Sequence, residues 1–270
     1  MKILPVIVLY KQLLTHCASL NTLLKDYKGE IFVFDNSPQS QEIPENLKTI
    51  YFHAPENPGI SYAYNRGAEY AADNGYTHIL LLDQDTIFHG SIQAYYEAIE
   101  KFPDSKLYAP IMKTTKGVPF SPANMTRLWI RGISLAPGEY NLDKYSPLNS
   151  GLMIELQLFQ KVGGYNEKVF LDFADFAFIE RVSAVNKYFC LMDLYAEQNF
   201  SNDETDCNKL LTRHKLYILS VRNCKWRSIS KKIQMLFNIV KRTIKIYLRT
   251  YKIDALKIFL KFYILGREEQ

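Results

Sequence analysis

The feature that most constrains the fold of this chain is an apolar run that leads directly into two aspartates. Ile79 to Leu82 are four consecutive apolar residues, and Asp83 and Asp85 follow in the sequence DQD. Such a run predicts a central strand that is buried on both faces of a parallel sheet. The two carboxylates then lie in the turn where this strand ends, at one edge of the sheet.

Other segments of the chain have the composition of strands and helices in alternation. Residues 3–10, 30–37 and 49–54 are short and rich in β-branched and aromatic side chains, which favours strands. Helical patterns are found over Lys11–Leu24 and Ser61–Asn74. Strands and helices that alternate at this spacing predict an α/β fold, in which a parallel sheet is covered by helices.

Composition excludes several other classes of protein. A chain of 270 residues with 47% hydrophobic residues, 12 Gly and 11 Pro can bury a substantial core, so disorder is not expected. The N-terminal run is short and interrupted by Pro5, which favours a buried strand over a signal peptide or a membrane span. No CxxC pair occurs, and reduced thiols without a zinc site are expected for the four scattered cysteines, Cys17, Cys190, Cys207 and Cys224.

Basic residues are concentrated at the C-terminal end of the chain. Residues 225–267 contain 12 Lys and Arg and the single acid Asp254, whereas residues 1–224 have a net charge of about −4. We therefore expect two regions, a domain over 1–224 and a basic amphipathic helical tail over 225–270. The tail either packs on the body with a solvated basic face or lies on an anionic membrane surface, which is the preferred interpretation. Nucleic acid is not an expected partner, since no recognised nucleic-acid module accompanies the charge.

Polar clusters follow three of the predicted strands. They are Asp35-Asn36-Ser37, Asn57-Pro58-Gly59 and Asp83-Gln84-Asp85, and each one alone is compatible with an ordinary turn or a helix cap. Ligands of open α/β sheets collect beyond the carboxyl ends of strands, where these clusters converge. A pair of carboxylates also suits a hard divalent cation that shares its remaining positions with water and phosphate oxygens. The pattern therefore predicts a phosphate-bearing ligand such as a nucleotide diphosphate.

A second pair of acids stands in the apolar segment VFLDFADFAF. Asp172 and Asp175 are three residues apart, so a helix would bring them to one face. They have the usual position of acids at a helix N-terminus, which is the simpler explanation. A carboxylate among so many apolar side chains also tends to have a raised pKa, which is useful in a general base.

Several motifs of the chain together resemble those of family 2 glycosyltransferases, which have the GT-A fold. These motifs are FVFDNS, NPGISYAYNRGAEYA, ILLLDQDT, NSGLMI, FQKVGGYNEKVFLDFADFAFIER and YILSVRN, in the order of the family and across residues 3 to 225. The branch that the chain resembles most contains the rhamnosyltransferases of bacterial surface polysaccharide assembly. The resemblance implies a Rossmann-like mixed sheet flanked by helices.

The resemblance also implies a role for individual residues on the donor side. Asp83 would face the ribose and the donor sugar, and Asp85, with Asp83, would bind Mg2+ or Mn2+ at the diphosphate. The residues implied to surround the rest of the nucleotide are Asp35 at the base, Asn57, Gly59 and Asn65 around the nucleotide, and Arg66 at a phosphate.

On the acceptor side, the resemblance implies that Asp175 is the catalytic base. Asp172, Ser150 and Gly151 are implied to shape the acceptor site. The chain departs from the family pattern at Ala177, where an acid is usual, and in DLYAEQNFSN, which offers Glu197 but no His as a further metal ligand.

These features predict an inverting glycosyltransferase that uses dTDP-rhamnose or a UDP-hexose and a lipid-linked saccharide acceptor, in the synthesis of O-antigen, capsule or another surface polysaccharide. The expected location is cytoplasmic, on the inner face of the bacterial cytoplasmic membrane. The departures keep a non-catalytic sugar-binding protein open as an alternative. A sugar nucleotidyltransferase is less favoured, because VLYKQLLTH lacks the Gly-rich loop that it requires after the first strand.

Overall fold

A computed structural model describes residues 1–198 and 206–267 of the chain. The strands are β1 Ile3–Leu9, β2 Ile31–Asp35, β3 Thr49–His53, β4 His78–Asp83, β5 Ile87–His89, β6 Leu107–Lys113, β7 Pro119–Ser121, β8 Ala123–Asn124, β9 Arg131–Gly132, β10 Gly138–Asn141, β11 Tyr145–Ser146, β12 Met153–Glu155 and β13 Tyr188–Glu197. The α-helices are α1 Ala18–Leu23, α2 Ile60–Asp73, α3 Gln93–Lys101, α4 Leu156–Lys161, α5 Ala174–Val182, α6 Cys207–Asn223, α7 Ile229–Thr250 and α8 Asp254–Ile258. A 3-10 helix spans Leu14–His16, and a π-helix spans Phe259–Ile264.

The main sheet is mixed and has the strand order β10-β13-β6-β12-β4-β1-β2-β3. Strands β4, β1, β2 and β3 are parallel, β13 is parallel to β6, and β12 is antiparallel to both of its neighbours. The four predicted strands all form, within two residues of their expected ends. An α/β fold with a mixed sheet flanked by helices is therefore confirmed.

The apolar run of β4 is buried on both faces, as predicted. Ile79 and Leu81 belong to one hydrophobic cluster, whereas Leu80 and Leu82 belong to the cluster on the opposite face. Each such side chain contributes about 1.5–3 kcal/mol when it is removed from water. Because both faces of the strand are covered, only its carboxyl end is available for polar groups.

The prediction of one helix across Lys11–Leu24 is wrong in its first half. Lys11 has a φ of 53°, and the chain then forms the 3-10 turn over Leu14–His16 before the short helix α1 begins at Ala18. A left-handed residue breaks the helical hydrogen-bond pattern, and the turn buries Leu14 and Cys17 against the sheet. The helix predicted over Ser61–Asn74 is confirmed, since α2 spans Ile60–Asp73.

The described part of the basic C-terminal segment is largely helical, and it packs on the body. Met235 and Ile239 of α7 belong to the same hydrophobic cluster as Ile79 and Leu81 of β4. Trp226 and Phe262 belong to this cluster too. The carboxylate of Glu180 on α5 is only 3% exposed, and it pairs with Lys231 and accepts the backbone N–H of Arg227 at 2.9 Å. In the described residues, no helix is long and apolar enough to span a bilayer.

Candidate active site

A cleft of about 450 Å3 opens at the carboxyl end of the sheet. The register places Asp83 opposite Val8 and Asp35 opposite Leu9, so the ends of β4 and β2 flank the end of β1. Five of the residues expected at a site line this cleft: Asp83, Asp85, Ser150, Asp172 and Asp175. Residues that are up to 92 positions apart in the sequence are therefore brought together by the fold.

The turn that carries Asp83 and Asp85 is held by hydrogen bonds from three directions. Tyr64 of α2 donates to Asp83 Oδ1 at 3.0 Å. The Ser150 hydroxyl accepts the backbone N–H of Asp83 at 3.1 Å and lies 2.7 Å from the Thr86 hydroxyl. From the end of β13, Gln198 Nε2 donates to Asp83 Oδ2 at 3.2 Å and to Asp85 Oδ1 at 2.7 Å. The two carboxylates thus share one amide partner, and their geometry is fixed.

The two carboxylates of this turn titrate above the usual range for aspartate. Burial, together with the charge of Asp85, raises the pKa of Asp83 to about 6, although hydrogen bonds from Tyr64 and Gln198 oppose the shift. Burial also raises the pKa of Asp85, and the hydrogen bond from Gln198 works against it. Two carboxylates that disfavour their own charge in this way would gain from a cation placed between them.

Asp175 stands in the first turn of α5, and Asp172 precedes that helix. The turn between them contains Phe173, whose φ of 68° redirects the chain immediately before the helix begins. Burial raises the pKa of Asp175 to about 7, although its Oδ1 accepts the Phe176 N–H at 2.7 Å. A helix N-terminus favours the charged form by only about 0.3–1 kcal/mol, which is too little to offset a shift of this size. The apolar surroundings that the sequence indicated therefore determine the protonation of Asp175.

Asp172 has a different environment on the same wall of the cleft. One of its oxygens, Oδ1, lies 3.7 Å from Nη2 of Arg213 on α6. The other, Oδ2, is buried and has no hydrogen-bond partner among the described residues. A buried carboxylate oxygen without a donor is costly unless a ligand or water supplies one. Asp172 is therefore positioned to accept a hydrogen bond from a molecule in the cleft.

Asp35 lies at the same edge of the sheet but has its own partners. Its Oδ2 accepts from the Tyr51 hydroxyl at 2.8 Å and from Gln41 Nε2 at 2.7 Å, and its Oδ1 accepts the Ser37 N–H at 2.9 Å. Burial alone would raise the pKa of Asp35, but these hydrogen bonds bring it below its usual value. Asp35 is thus a fully buried, ionised group beneath the loop that follows β2.

The loop that contains Asn57 and Gly59 packs directly on the segment before α5. Asn57 has a φ of 50° and Gly59 a φ of 95°, and a Cβ on Gly59 would lie 2.5 Å from the carbonyl oxygen of Phe170. The Ile60 N–H donates to that same carbonyl at 3.0 Å. Only glycine fits here, and its close approach joins the start of α2 to the segment that carries Asp172 and Asp175.

Six of the expected site residues do not line the cleft: Asp35, Asn57 and Gly59, whose surroundings are given above, and Asn65, Arg66 and Gly151. Asn65 bonds the backbone of Tyr165 through both ends of its amide, at 2.7 and 3.0 Å, and also donates to Glu167. Arg66 pairs with Glu69, and both Asn65 and Arg66 line a separate depression on the surface. Gly151 is buried with a φ of 77°, and a Cβ there would lie 2.6 Å from Pro110.

Sequence reasoning missed Gln198, whose side-chain amide donates hydrogen bonds to both carboxylates of the DQD turn. It stands one residue after Glu197, the residue suggested as a metal ligand, but Glu197 pairs with His89 at 3.3 Å instead. Whether Glu197 or Gln198 faces the cleft depends on how β13 pairs with β5 and β6, which the sequence does not show. Ala177, where an acid is usual in the family, is buried in the core on α5.

Comparisons with known proteins agree with this architecture. The family model described as glycosyl transferase family 2 matches residues 6–151. The dTDP-rhamnosyl transferase RfbF of Shigella flexneri is 24% identical over 178 residues, which cover 64% of this chain and 60% of that protein. The chain thus matches less than two thirds of the length of this relative.

Two solved structures have a similar fold. One is S. aureus TarS 1-349 in complex with UDP, with 14% identity and a TM-score of 0.57, over 97% of this chain and 78% of that chain. The other is GalNAc-T7 with UDP, GalNAc and Mn2+, with 14% identity and a TM-score of 0.59, over 97% of this chain and 54% of that chain. These likenesses confirm the predicted GT-A fold.

The matched region runs from β1 to the turn at Gly151, and it includes Asp35, Asp83 and Asp85. It covers more than half of the chain. On this evidence, the chain belongs to glycosyl transferase family 2.

Proposed function

We propose that this chain transfers a sugar from a nucleotide-diphosphate donor to a hydroxyl group of an acceptor, with inversion at the anomeric carbon. The observation that carries the proposal is the arrangement of one cleft, which is lined both by the paired carboxylates of the DQD turn and by the carboxylate of Asp175. UDP is named in the TarS and GalNAc-T7 structures, and RfbF, which the chain resembles, is a dTDP-rhamnosyl transferase. These names support dTDP-rhamnose or a UDP-hexose as the donor.

Residues on the donor side fit a divalent cation. Asp83 and Asp85 offer hard oxygen donors, and Gln198 adds an amide whose oxygen would face the site after rotation about its last torsion angle. Two carboxylates are the usual protein contribution to a Mg2+ site that also holds phosphate oxygens, and Mn2+ accompanies UDP in GalNAc-T7. When bound, the cation would neutralise the charge that develops on the departing diphosphate. The proposed site of the nucleotide base lies by Asp35, with Asn57 and Gly59 shaping the loop beside it.

Asp175 is the proposed general base. Its Oδ1 already accepts the Phe176 N–H, so Oδ2 would take the proton of the acceptor hydroxyl. A pKa of about 7 leaves a useful fraction of this carboxylate ionised at neutral pH and makes the ionised form a stronger base than an ordinary aspartate. Asp172 Oδ2, buried without a partner among the described residues, would orient the acceptor. With Asp175 as the base and Asp172 assigned to the acceptor, this arrangement favours a single displacement, and hence inversion.

The proposed acceptor is a saccharide carried on a membrane lipid, in the synthesis of a bacterial surface polysaccharide such as O-antigen or capsule. The basic helix α7 supports this assignment, since it would hold the enzyme at the inner face of the cytoplasmic membrane. The RfbF match is to a rhamnosyl transferase and is compatible with such a role.

Thermal stabilisation by a panel of nucleotide sugars with Mn2+ tests this function. We expect one dTDP- or UDP-sugar to raise the midpoint of unfolding of the wild type in the presence of Mn2+ only. Asp85→Ala should abolish the metal-dependent part of the shift, whereas Asp104→Ala, an exposed aspartate outside the cleft, should retain it. A metal-independent shift, or one that survives in Asp85→Ala, would contradict the proposed donor site. No shift with any donor would favour the non-catalytic alternative.

A further inference from the structure

Helix α7 has a second apolar face that is not packed against the body. Its buried side chains include Met235, Ile239 and Ile246, which contact the core. A row of apolar and aromatic side chains on a different side of the helix is 36–82% exposed. With 3.6 residues per turn, this row occupies a sector of about 100° around the helix axis. We name this row the α7 stripe; its members are Ile229, Ile233, Phe237, Ile244, Tyr247, Leu248 and Tyr251.

The α7 stripe continues onto the loop that leads to strand β9. The ring of Trp129 meets Phe237 edge to face, with centroids 6.3 Å apart. Lys241 Nζ lies 4.6 Å from the centroid of the same indole, and Asn238 donates to the Leu128 carbonyl at 3.1 Å. Leu128 is itself exposed. The stripe and the loop therefore form one continuous amphipathic surface.

Charge at the borders of this surface has one sign. Lys241 and Lys245 follow one border of the stripe, Lys232 lies beyond the other, and all three are exposed. Residues 225–267 carry 12 basic side chains and one acid. A second copy of the chain would bring like charges together across such a surface, which disfavours self-association. An apolar row with basic borders is instead the pattern that lies in the headgroup region of an anionic bilayer.

We propose that the α7 stripe, with Leu128 and Trp129, docks on an anionic lipid bilayer and holds the mouth of the cleft at the membrane surface. Ile130 and Arg131, which directly follow Trp129, line the cleft. Docking through this loop therefore sets the distance between the bilayer and the proposed acceptor side. The benefit to catalysis rests on the proposed function, but lipid binding itself does not.

Vesicle binding with tryptophan emission as the readout tests the proposal. The chain has two tryptophans, and Trp226 is buried in the core, so a lipid-induced change reports on Trp129. Vesicles of phosphatidylcholine containing phosphatidylglycerol should bind the full-length chain, shift its emission to the blue and, with brominated acyl chains, quench it. Vesicles of phosphatidylcholine alone should bind far more weakly. In Trp129→Phe, the emission change should be lost.

Double variants distinguish lipid binding through the α7 stripe from lipid binding through exposed apolar residues in general. Phe237→Ser with Leu248→Ser should lower partitioning by about tenfold or more, and Lys241→Gln with Lys245→Gln by about fivefold per lysine. The control pair is Leu13→Ser with Val118→Ser, two exposed apolar residues whose neighbours Leu14 and Phe120 belong to the opposite core cluster. This pair should bind like the wild type.

Three results would overturn the proposal: no binding of the wild type to anionic vesicles, binding of the Phe237/Leu248 variant at wild-type strength, or quenching that persists in Trp129→Phe. Wild-type self-association that disappears in the Phe237/Leu248 variant, in the absence of lipid binding, would make the stripe a protein interface instead. The donor-dependent thermal shift is measured without lipid. A failure of docking is therefore distinguishable from a failure of the proposed function.

Discussion

Replacing Asp175 by Asn should stabilise the folded protein while it removes the proposed base. The pKa of Asp175 rises from its ordinary value of 3.8 to about 7 because the fold buries the carboxyl group. Asparagine keeps the shape of the side chain and can still accept the Phe176 N–H, but it carries no charge. The variant therefore removes the cost of burying the ionised form and leaves the local packing in place.

The sign and size of this effect follow from linkage between protonation and folding. Between about pH 4 and 7 the folded state holds a proton on Asp175 that the unfolded state has released, so the contribution of Asp175 to the stability of the wild type falls as the pH rises through this window. A shift of about three units corresponds to roughly 4 kcal/mol at full effect, and to about 2 kcal/mol if water in the open cleft screens half of it. We thus expect Asp175→Asn to be more stable than the wild type by about 2–4 kcal/mol at pH 8 and equally stable near pH 4.

Urea unfolding at several pH values, without metal or donor, measures this difference. Asp104→Asn serves as the control, because Asp104 is exposed and lies outside the cleft, and its stability should follow that of the wild type at every pH. A variant that is less stable than the wild type at pH 8 would refute the reasoning. So would a stability difference between Asp175→Asn and the wild type that does not change with pH.

Three further substitutions have expected outcomes. Gly59→Ala should destabilise the protein by roughly 1–3 kcal/mol in thermal unfolding, because the new Cβ meets the Phe170 carbonyl at a positive φ; unchanged stability would contradict the close approach. Glu180→Ala should cost about 3–5 kcal/mol by leaving Lys231 without its buried partner, and a loss below 1 kcal/mol would show that the pair is screened. Gln198→Ala should raise the pKa of both aspartates of the DQD turn and so weaken Mn2+ binding at pH 6 more than at pH 8, which calorimetry can measure.

Much of the fold was predictable because the local sequence patterns indicate the same strands and helices that the observed sheet contains. Continuous apolarity identified β4 as a strand with two buried faces, and the alternation of strands and helices identified the parallel half of the sheet. The helix over Lys11–Leu24 was overpredicted, since apolar spacing does not show that Lys11 adopts a left-handed conformation. The mixed half of the sheet joins the short strands β10 and β12 to the longer strands β6 and β13, and their pairing depends on long-range contacts.

The candidate site was predictable where chemistry and strand ends coincide. Asp83, Asp85 and Asp175 stand out as carboxylates in apolar surroundings, and they lie in one cleft. Gln198 gave no such signal, because an amide at the end of a strand is common and its direction depends on the register of β13. The use of the Asn65 amide to hold the Tyr165 backbone, 100 residues away, is equally invisible in the sequence.

In the proposed reaction, Asp175 activates the acceptor in the same cleft where the DQD turn holds the donor. The most direct test of this role is the rate of nucleoside diphosphate release in the presence of Mn2+ and a lipid-linked saccharide acceptor, measured for the wild type and for Asp175→Asn with both proteins saturated with donor as judged by thermal shift. We predict that the variant retains the donor-induced shift and loses about 10²- to 10⁴-fold in rate. An unchanged rate at full donor saturation would contradict this role.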